Sequence, residues 1–250
     1  MTAPNKVCKR NYISRVLAKI INKRYVNNIL EIGSGKSSTT EIRKILQNKK
    51  KGFCISLEHD KFYRDYVISK VPDDQFGKVV FSGLIYDDKK GLRYDYKMEG
   101  GKYDFIYIDA PGLALIQKGN KMVSAKPDCL KYIARPDVCL QSAKRGGCRM
   151  FIFDYILPVM HDDTIVLVDS SKSAVLYYYQ KHHKGYNFYC LGSNEQDTKG
   201  TNKIQRLLKP EYVKDIKIIP TKATIIVNRK SFVANRLAKS LKDDKILEIK

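Results

Sequence analysis

Five apolar runs in this 250-residue chain end in residue types that could do chemistry. Ile29-Leu30-Glu31-Ile32 leads into Gly33-Ser34-Gly35, and a second run ends in Glu58-His59-Asp60. A third ends in Ser82-Gly83-Leu84, a fourth in Asp109-Ala110-Pro111-Gly112, and a fifth in Asp169-Ser170-Ser171. If the runs are parallel strands of one sheet, these ends share a rim, and open α/β sheets bind ligands beyond the carboxyl ends of their strands. A row of carboxylates on one rim reads as a site. Asp109 and Asp169 could act there as a general base toward an acceptor hydroxyl, or together hold a divalent ion. Asp169 could also merely cap the helix that follows.

The first run carries GSGKSS, which suggests a nucleotide phosphate loop. That loop has the frame G-x-x-x-x-G-K-[ST], whose first glycine would fall at position 30. Leu30 stands there, inside the strand, so the loop is too short to wrap a triphosphate. A tight strand–turn–helix junction remains, with the helix expected from Ser37 or Ser38. Its free N–H groups and positive dipole end suit a carboxylate or a ribose. A plain βα turn is an equal alternative. Glu58 falls 23 residues after Gly35 at the end of the second run. That is where an acid accepts hydrogen bonds from the ribose hydroxyls of an adenosine cofactor. Ser38 replaces the third glycine of a dinucleotide fingerprint, which counts against NAD.

Arg149 is a further candidate. It opens an expected helix, where the dipole disfavours a cation, so it calls for a partner anion such as Asp109 or a substrate carboxylate. The preceding segment, 113–150, holds eight Lys/Arg against two Asp and reads as an irregular basic lid or a solvated loop.

The elements that must place these residues follow from the hydrophobic pattern. Strands are expected at 28–32, 52–60, 78–83, 103–112, 163–171, 186–192 and 222–230. Helices are expected over 10–24, 37–49, 61–71, 149–160 and from Ala174, with a polar loop from 84 to 102. Short apolar strands without alternation, separated by helices, mean a mostly parallel sheet covered on both faces. The last two strands, joined by a loop, would pair antiparallel at the sheet edge. The fold class is thus α/β and Rossmann-like: a mostly parallel seven-stranded sheet with helices on both faces and an antiparallel edge strand. One domain is expected over 1–230, with a leading helix in 1–26 and an insert at 113–148. Residues 231–250 would form a surface helix or tail.

Composition bounds the setting. With 43% hydrophobic residues the chain can bury one sizeable core, and no apolar run is long enough to span a membrane. The N-terminus has no secretory h-region. Six scattered cysteines without a C-x-x-C pair suggest reduced thiols in the cytoplasm. Forty-seven Lys+Arg against 26 Asp+Glu give a formal charge of +21. Such a field attracts polyanions, although lysine spread along the whole chain could also be compositional.

In order and spacing, ILEIGSG, SLEHD, YDFIYIDAPG and TIVLVDSS resemble class I S-adenosylmethionine-dependent methyltransferases over roughly residues 27–230. The resemblance implies that Glu31, Gly33, Ser34 and Gly35 line the methionine part of S-adenosylmethionine. Glu58 would take the ribose with His59 beside it, Gly83 and Leu84 would border the adenine, and Asp109 would face the sulfonium. A narrower similarity, to the glucuronoxylan 4-O-methyltransferase group, rests on IDAPG, Arg149-Met150 and a strand ending in Asp169. This chain departs from that group in its long 113–147 spacer, in Cys148, and in VDSS. Catechol-type methyltransferases are similar in placing acids after strands four and five, where they hold magnesium. The function expected is O-methyl transfer to a glycan or sugar hydroxyl. The alternatives are RNA 2′-O-methyl transfer, for which Lys172 lies past the strand where a lysine is wanted, and a non-catalytic polyanion-binding module.

Overall fold

Seven strands hydrogen-bond into one sheet in which β1 (Asn28–Ile32) stands third from one edge. On one side of it lie β2 (Phe53–Glu58) and β3 (Gly77–Phe81). On the other lie β6 (Tyr103–Ile108), β9 (Met160–Asp169), β11 (Ala223–Asn228) and the edge strand β10 (Tyr186–Leu191). The computed structural model describes residues 5–87, 91–96, 101–109, 115–118, 121–124, 152–169, 183–191 and 223–244. β1, β2, β3, β6 and β9 are mutually parallel, and β11 runs against both β9 and β10. The expected Rossmann-like, mostly parallel sheet is therefore present. Its reversed strand sits one place in from the edge, paired there with β10.

Successive strand residues face opposite sides, and the apolar residues divide accordingly. One face carries Ile29, Cys54, Phe105, Ile165 and Leu167. It packs against α1 (Asn5–Ile21), α2 (Lys36–Lys49) and α5 (Phe232–Lys242). The other carries Leu30, Ile32, Leu57, Ile106, Ile108, Val166 and Val168 and packs against α4 (Ile152–Ile156). α5 belongs to the main core through Ala234, Leu237, Ala238 and Leu241, so of the helix or tail expected over 231–250 the described part is a helix packed on the core.

Two cations fix the helices that border the strand ends. The buried Arg43 of α2 donates to the Pro72 carbonyl at 2.8 Å and to Asp74 at 2.7 Å. The Lys49 ammonium, at the other end of α2, donates to the carbonyls of Ile21 (3.0 Å), Lys23 (2.7 Å) and Val26. It thereby ties the end of α1 to α2.

The loop expected over 84–102 contains a hairpin, β4 (Leu84–Asp87) with β5 (Gly91–Tyr94). Another, β7 (Leu115–Lys118) with β8 (Lys121–Ser124), lies in the segment expected to be irregular. The expected helix over 149–160 is α4 followed by a 3-10 turn at Leu157–Val159, and Met160 already belongs to β9. The helix expected from Ala174 lies outside the described residues. Among the described residues, no helix is long and apolar enough to cross a membrane.

Candidate active site

The chain runs from β1 outward to β2 and β3, then returns to β6 and β9 on the other side of β1. The gap beyond β1 and β6 is thus the switch point, where such sheets open a crevice. A cavity of about 650 Å³ opens there. Its wall takes Ile13, Ser14 and Leu17 from α1, Gly35 and Lys36–Ser38 from the start of α2, and Tyr63 and Tyr66 from α3 (Lys61–Lys70). Tyr107, Asp109 and Asp169 complete it from the sheet.

The glycine turn is built by the backbone. Gly33 has φ of +85°, which a side chain would strain. The turn is closed by the Gly33 and Ser34 N–H groups on the Leu57 carbonyl, at 3.0 and 2.9 Å. α2 then starts at Lys36, with no side-chain cap at Gly35 and no acid in its first turn. The first amides of a helix have no intrahelical acceptor, and the dipole end is positive. This helix start, on the cavity wall, is suited to an anion.

Glu58 is buried and closely held. Its Oε2 accepts from the Ser34 hydroxyl at 3.0 Å. Its Oε1 accepts the backbone N–H groups of His59 and Asp60, at 2.9 and 3.0 Å, and the His59 Nδ1 lies 3.1 Å away. Ser34 therefore links the glycine turn to the acid of β2. A carboxylate can accept about four hydrogen bonds, which leaves Oε2 with capacity for another donor.

Glu31 lies fully buried behind the turn. Its Oε2 accepts from Thr39 at 2.7 Å and Ser56 at 2.6 Å, while Oε1 is buried with no hydrogen bond among the described residues. Burial pushes its carboxyl up from 4.5 to about 7, and the charge of Asp109 adds to the rise. The hydroxyls of Ser38, Ser56 and Thr39 oppose it.

Register brings the two aspartates abreast. Ile108 pairs with Val168 across β6 and β9, and Asp109 and Asp169 are the next residues on each strand. Tyr107 stands two residues before Asp109, on the same strand face, and pairs with Glu31 on β1. Its hydroxyl donates to Asp169 Oδ2 at 3.4 Å. The phenol is raised well above 10, first by burial, then by the charges of Asp109, Asp169 and Glu31, and by the bond to Asp169. It therefore stays protonated and acts as a donor.

Of the expected residues, Gly35, Asp109 and Asp169 are part of the cavity wall; Gly33, Ser34, Glu58 and His59 stand at the same strand ends without being part of it, and Glu31 is buried behind the turn. Gly83 follows β3 and precedes the β4 hairpin, which Leu84 opens, and Gly83 is not part of the cavity wall. The Gly83 carbonyl accepts the Asp95 N–H at 2.7 Å, and a Cβ there would meet nothing within 4 Å. Arg149, Met150 and Lys172 lie outside the described residues, as does most of the 113–148 insert. Among the described residues, no group of three or more His, Cys, Asp or Glu forms a metal cluster.

Sequence reasoning missed Tyr107, Ser38, Thr39, Ser56, Tyr63, Tyr66 and the wall supplied by α1. A two-residue step back from Asp109 marks Tyr107, and a two-residue step back from Glu58 marks Ser56. Nothing in the sequence marks the α1 residues, whose place depends on how the helix packs.

No family model matches the chain, and no curated protein matches it. Solved structures resemble it in fold. One is a precorrin-6y C5,15-methyltransferase from Geobacter metallireducens, 12% identical, covering 86% of this chain and 84% of its own, with a TM-score of 0.42. Fibrillarin of Aeropyrum pernix with bound S-adenosyl-L-methionine is 10% identical, over 87% and 76%, with a TM-score of 0.45. A Podospora anserina methyltransferase with bound SAH is 12% identical, over 87% and 78%, with a TM-score of 0.42. At these identities and TM-scores none of them bears on function, which rests on the residues of the site.

Proposed function

We propose that this chain is a methyltransferase that uses S-adenosylmethionine to methylate a hydroxyl of a sugar-containing acceptor. The observation that carries the reading is the Ser34–Glu58 link, which joins an uncapped helix start to a buried acid at the sheet's switch point. The residues fit the cofactor group by group. The first turn of α2 suits its carboxylate, and the remaining capacity of Glu58 suits its ribose. With Leu30 where a phosphate loop needs glycine, a triphosphate fits poorly.

When bound, S-adenosylmethionine supplies an electrophilic methyl group on its sulfonium. The chain has to align the acceptor and take its proton, because an alcohol is a poor nucleophile at neutral pH. Asp109 and Asp169 face the cavity side by side and are the groups to do so. Tyr107 fixes one oxygen of Asp169.

A sugar hydroxyl on a negatively charged chain suits the +21 charge. Two polymers offer one: an acidic glycan, as the narrower sequence similarity implies, and RNA. The test is transfer of a tritiated methyl group from S-adenosylmethionine to each polymer. Transfer to one of them, reduced about 10²–10⁴-fold in Asp169→Asn, supports the reading. Undiminished transfer in Asp109→Asn and Asp169→Asn would make both acids structural, and no transfer to any hydroxyl would favour a binding module.

A further inference from the structure

The α3 helix leaves aromatic rings in water. Val67 is its buried residue, whereas Phe62 is 87% exposed, Tyr63 39% and Tyr66 44%. The outer face of a surface helix ordinarily carries charged and polar side chains. Contiguous exposed apolar surface marks an interaction site more often than scattered single residues do. These three are contiguous. Tyr63 and Tyr66 have ring centroids 5.9 Å apart. Phe62 and Tyr66 are four residues apart and so are neighbours on the helix surface. The row reaches the cavity, because Tyr63 and Tyr66 are part of its wall while Phe62 is not.

Cations accompany the rings. Lys61 and Lys70 are exposed at the two ends of α3, and Lys36 is exposed at the cavity. Flat rings among cations, on a chain of charge +21, match an occupant with planar faces and a negative backbone. Single-stranded nucleic acid has both: stacking on aromatic side chains and a basic track for phosphates are how such strands are held. An acidic glycan shares the charge but has no π-face. The phenyl ring of Phe62 offers a base a stacking surface and offers a hydroxylated sugar no hydrogen bond. A duplex has its bases already stacked and presents none to the ridge.

We propose that this aromatic ridge docks single-stranded RNA and leads a ribose hydroxyl into the cavity, which names the acceptor class of the methyltransferase reading and rests on it. The test is fluorescence anisotropy with a short fluorescein-labelled RNA strand, its annealed duplex and an unlabelled acidic polysaccharide as competitor. Wild type and Phe62→Ala are compared at about 0.15 M salt. Phe62 lies outside the cavity wall and is exposed, so its loss leaves the fold and the cavity in place. In the same preparations, calorimetry with S-adenosylhomocysteine reports the cofactor site separately.

The expected result is binding of the strand in preference to the duplex, weakened about five- to a hundredfold in Phe62→Ala. Binding of S-adenosylhomocysteine should be unchanged by the substitution. Equal strand affinity in wild type and variant overturns the proposal. So does a duplex bound as tightly as the strand, or a polysaccharide whose competition depends on Phe62 as the strand's binding does. Loss of S-adenosylhomocysteine binding in wild type, with the ridge still selecting the strand, contradicts the methyltransferase reading and supports the docking surface.

Discussion

Glu31 shows how a buried side chain can carry a signal for solution. Its carboxyl is pushed up to about 7, chiefly by burial. Between about pH 4.5 and pH 7 the folded chain holds a proton there that the unfolded chain has released, so stability falls as pH rises through that window and levels off above it. A rise of this size corresponds to roughly 3 kcal/mol. Glu31→Gln has no such proton to lose. Urea unfolding at a series of pH values should show a decline between pH 5 and 7 in the wild type that is largely missing in the variant. Parallel curves would mean that Glu31 ionises normally. Residues of this kind were partly legible: Glu31, Glu58, Asp109 and Asp169 declared themselves by ending apolar runs. That Glu31 points into the protein behind the turn, while Asp109 lines the cavity, was not legible, because it depends on how Thr39 and Ser56 approach from α2 and β2.

At the scale of elements, the start of α2 does two things that a charge would set against each other. A negative residue in the first turn stabilises a helix by about 0.3–1 kcal/mol. The same charge would repel the cofactor carboxylate assigned to that place. Ser37 is exposed and stands on the cavity wall. Ser37→Asp should therefore raise thermal stability and lower S-adenosylhomocysteine affinity severalfold, read by melting and calorimetry on one preparation. Stability and affinity rising together would remove the helix start from the site. The main strands and α1–α3 were legible because their periods are long enough to read. The hairpin of β4 and β5 was not, since four-residue strands interrupted by charges give too short an alternation. β9 begins at Met160 despite the polar His161-Asp162-Asp163. There, His161 is held by Asp104 at 3.0 Å and its N–H by Thr164 at 2.8 Å, long-range and local bonds that a hydropathy pattern does not contain.

For the whole molecule, alternating strands and helices sufficed for a parallel α/β sheet, and the loop-linked last pair for an antiparallel junction. The strand order itself is set by which way each crossover turns, and the placement of β11 inside β10 is visible only in the folded chain. What that order achieves is to bring turn, acids and helix start to one crevice, and the central claim is that S-adenosylmethionine occupies it. Calorimetric titration of the chain with S-adenosylhomocysteine, beside ATP and beside Glu58→Ala, tests this most directly. Saturable one-site binding of S-adenosylhomocysteine, much weaker binding of ATP, and a loss of about 1–3 kcal/mol in Glu58→Ala as ribose hydrogen bonds go are the expected results. Tight binding of ATP with none of S-adenosylhomocysteine would contradict the claim.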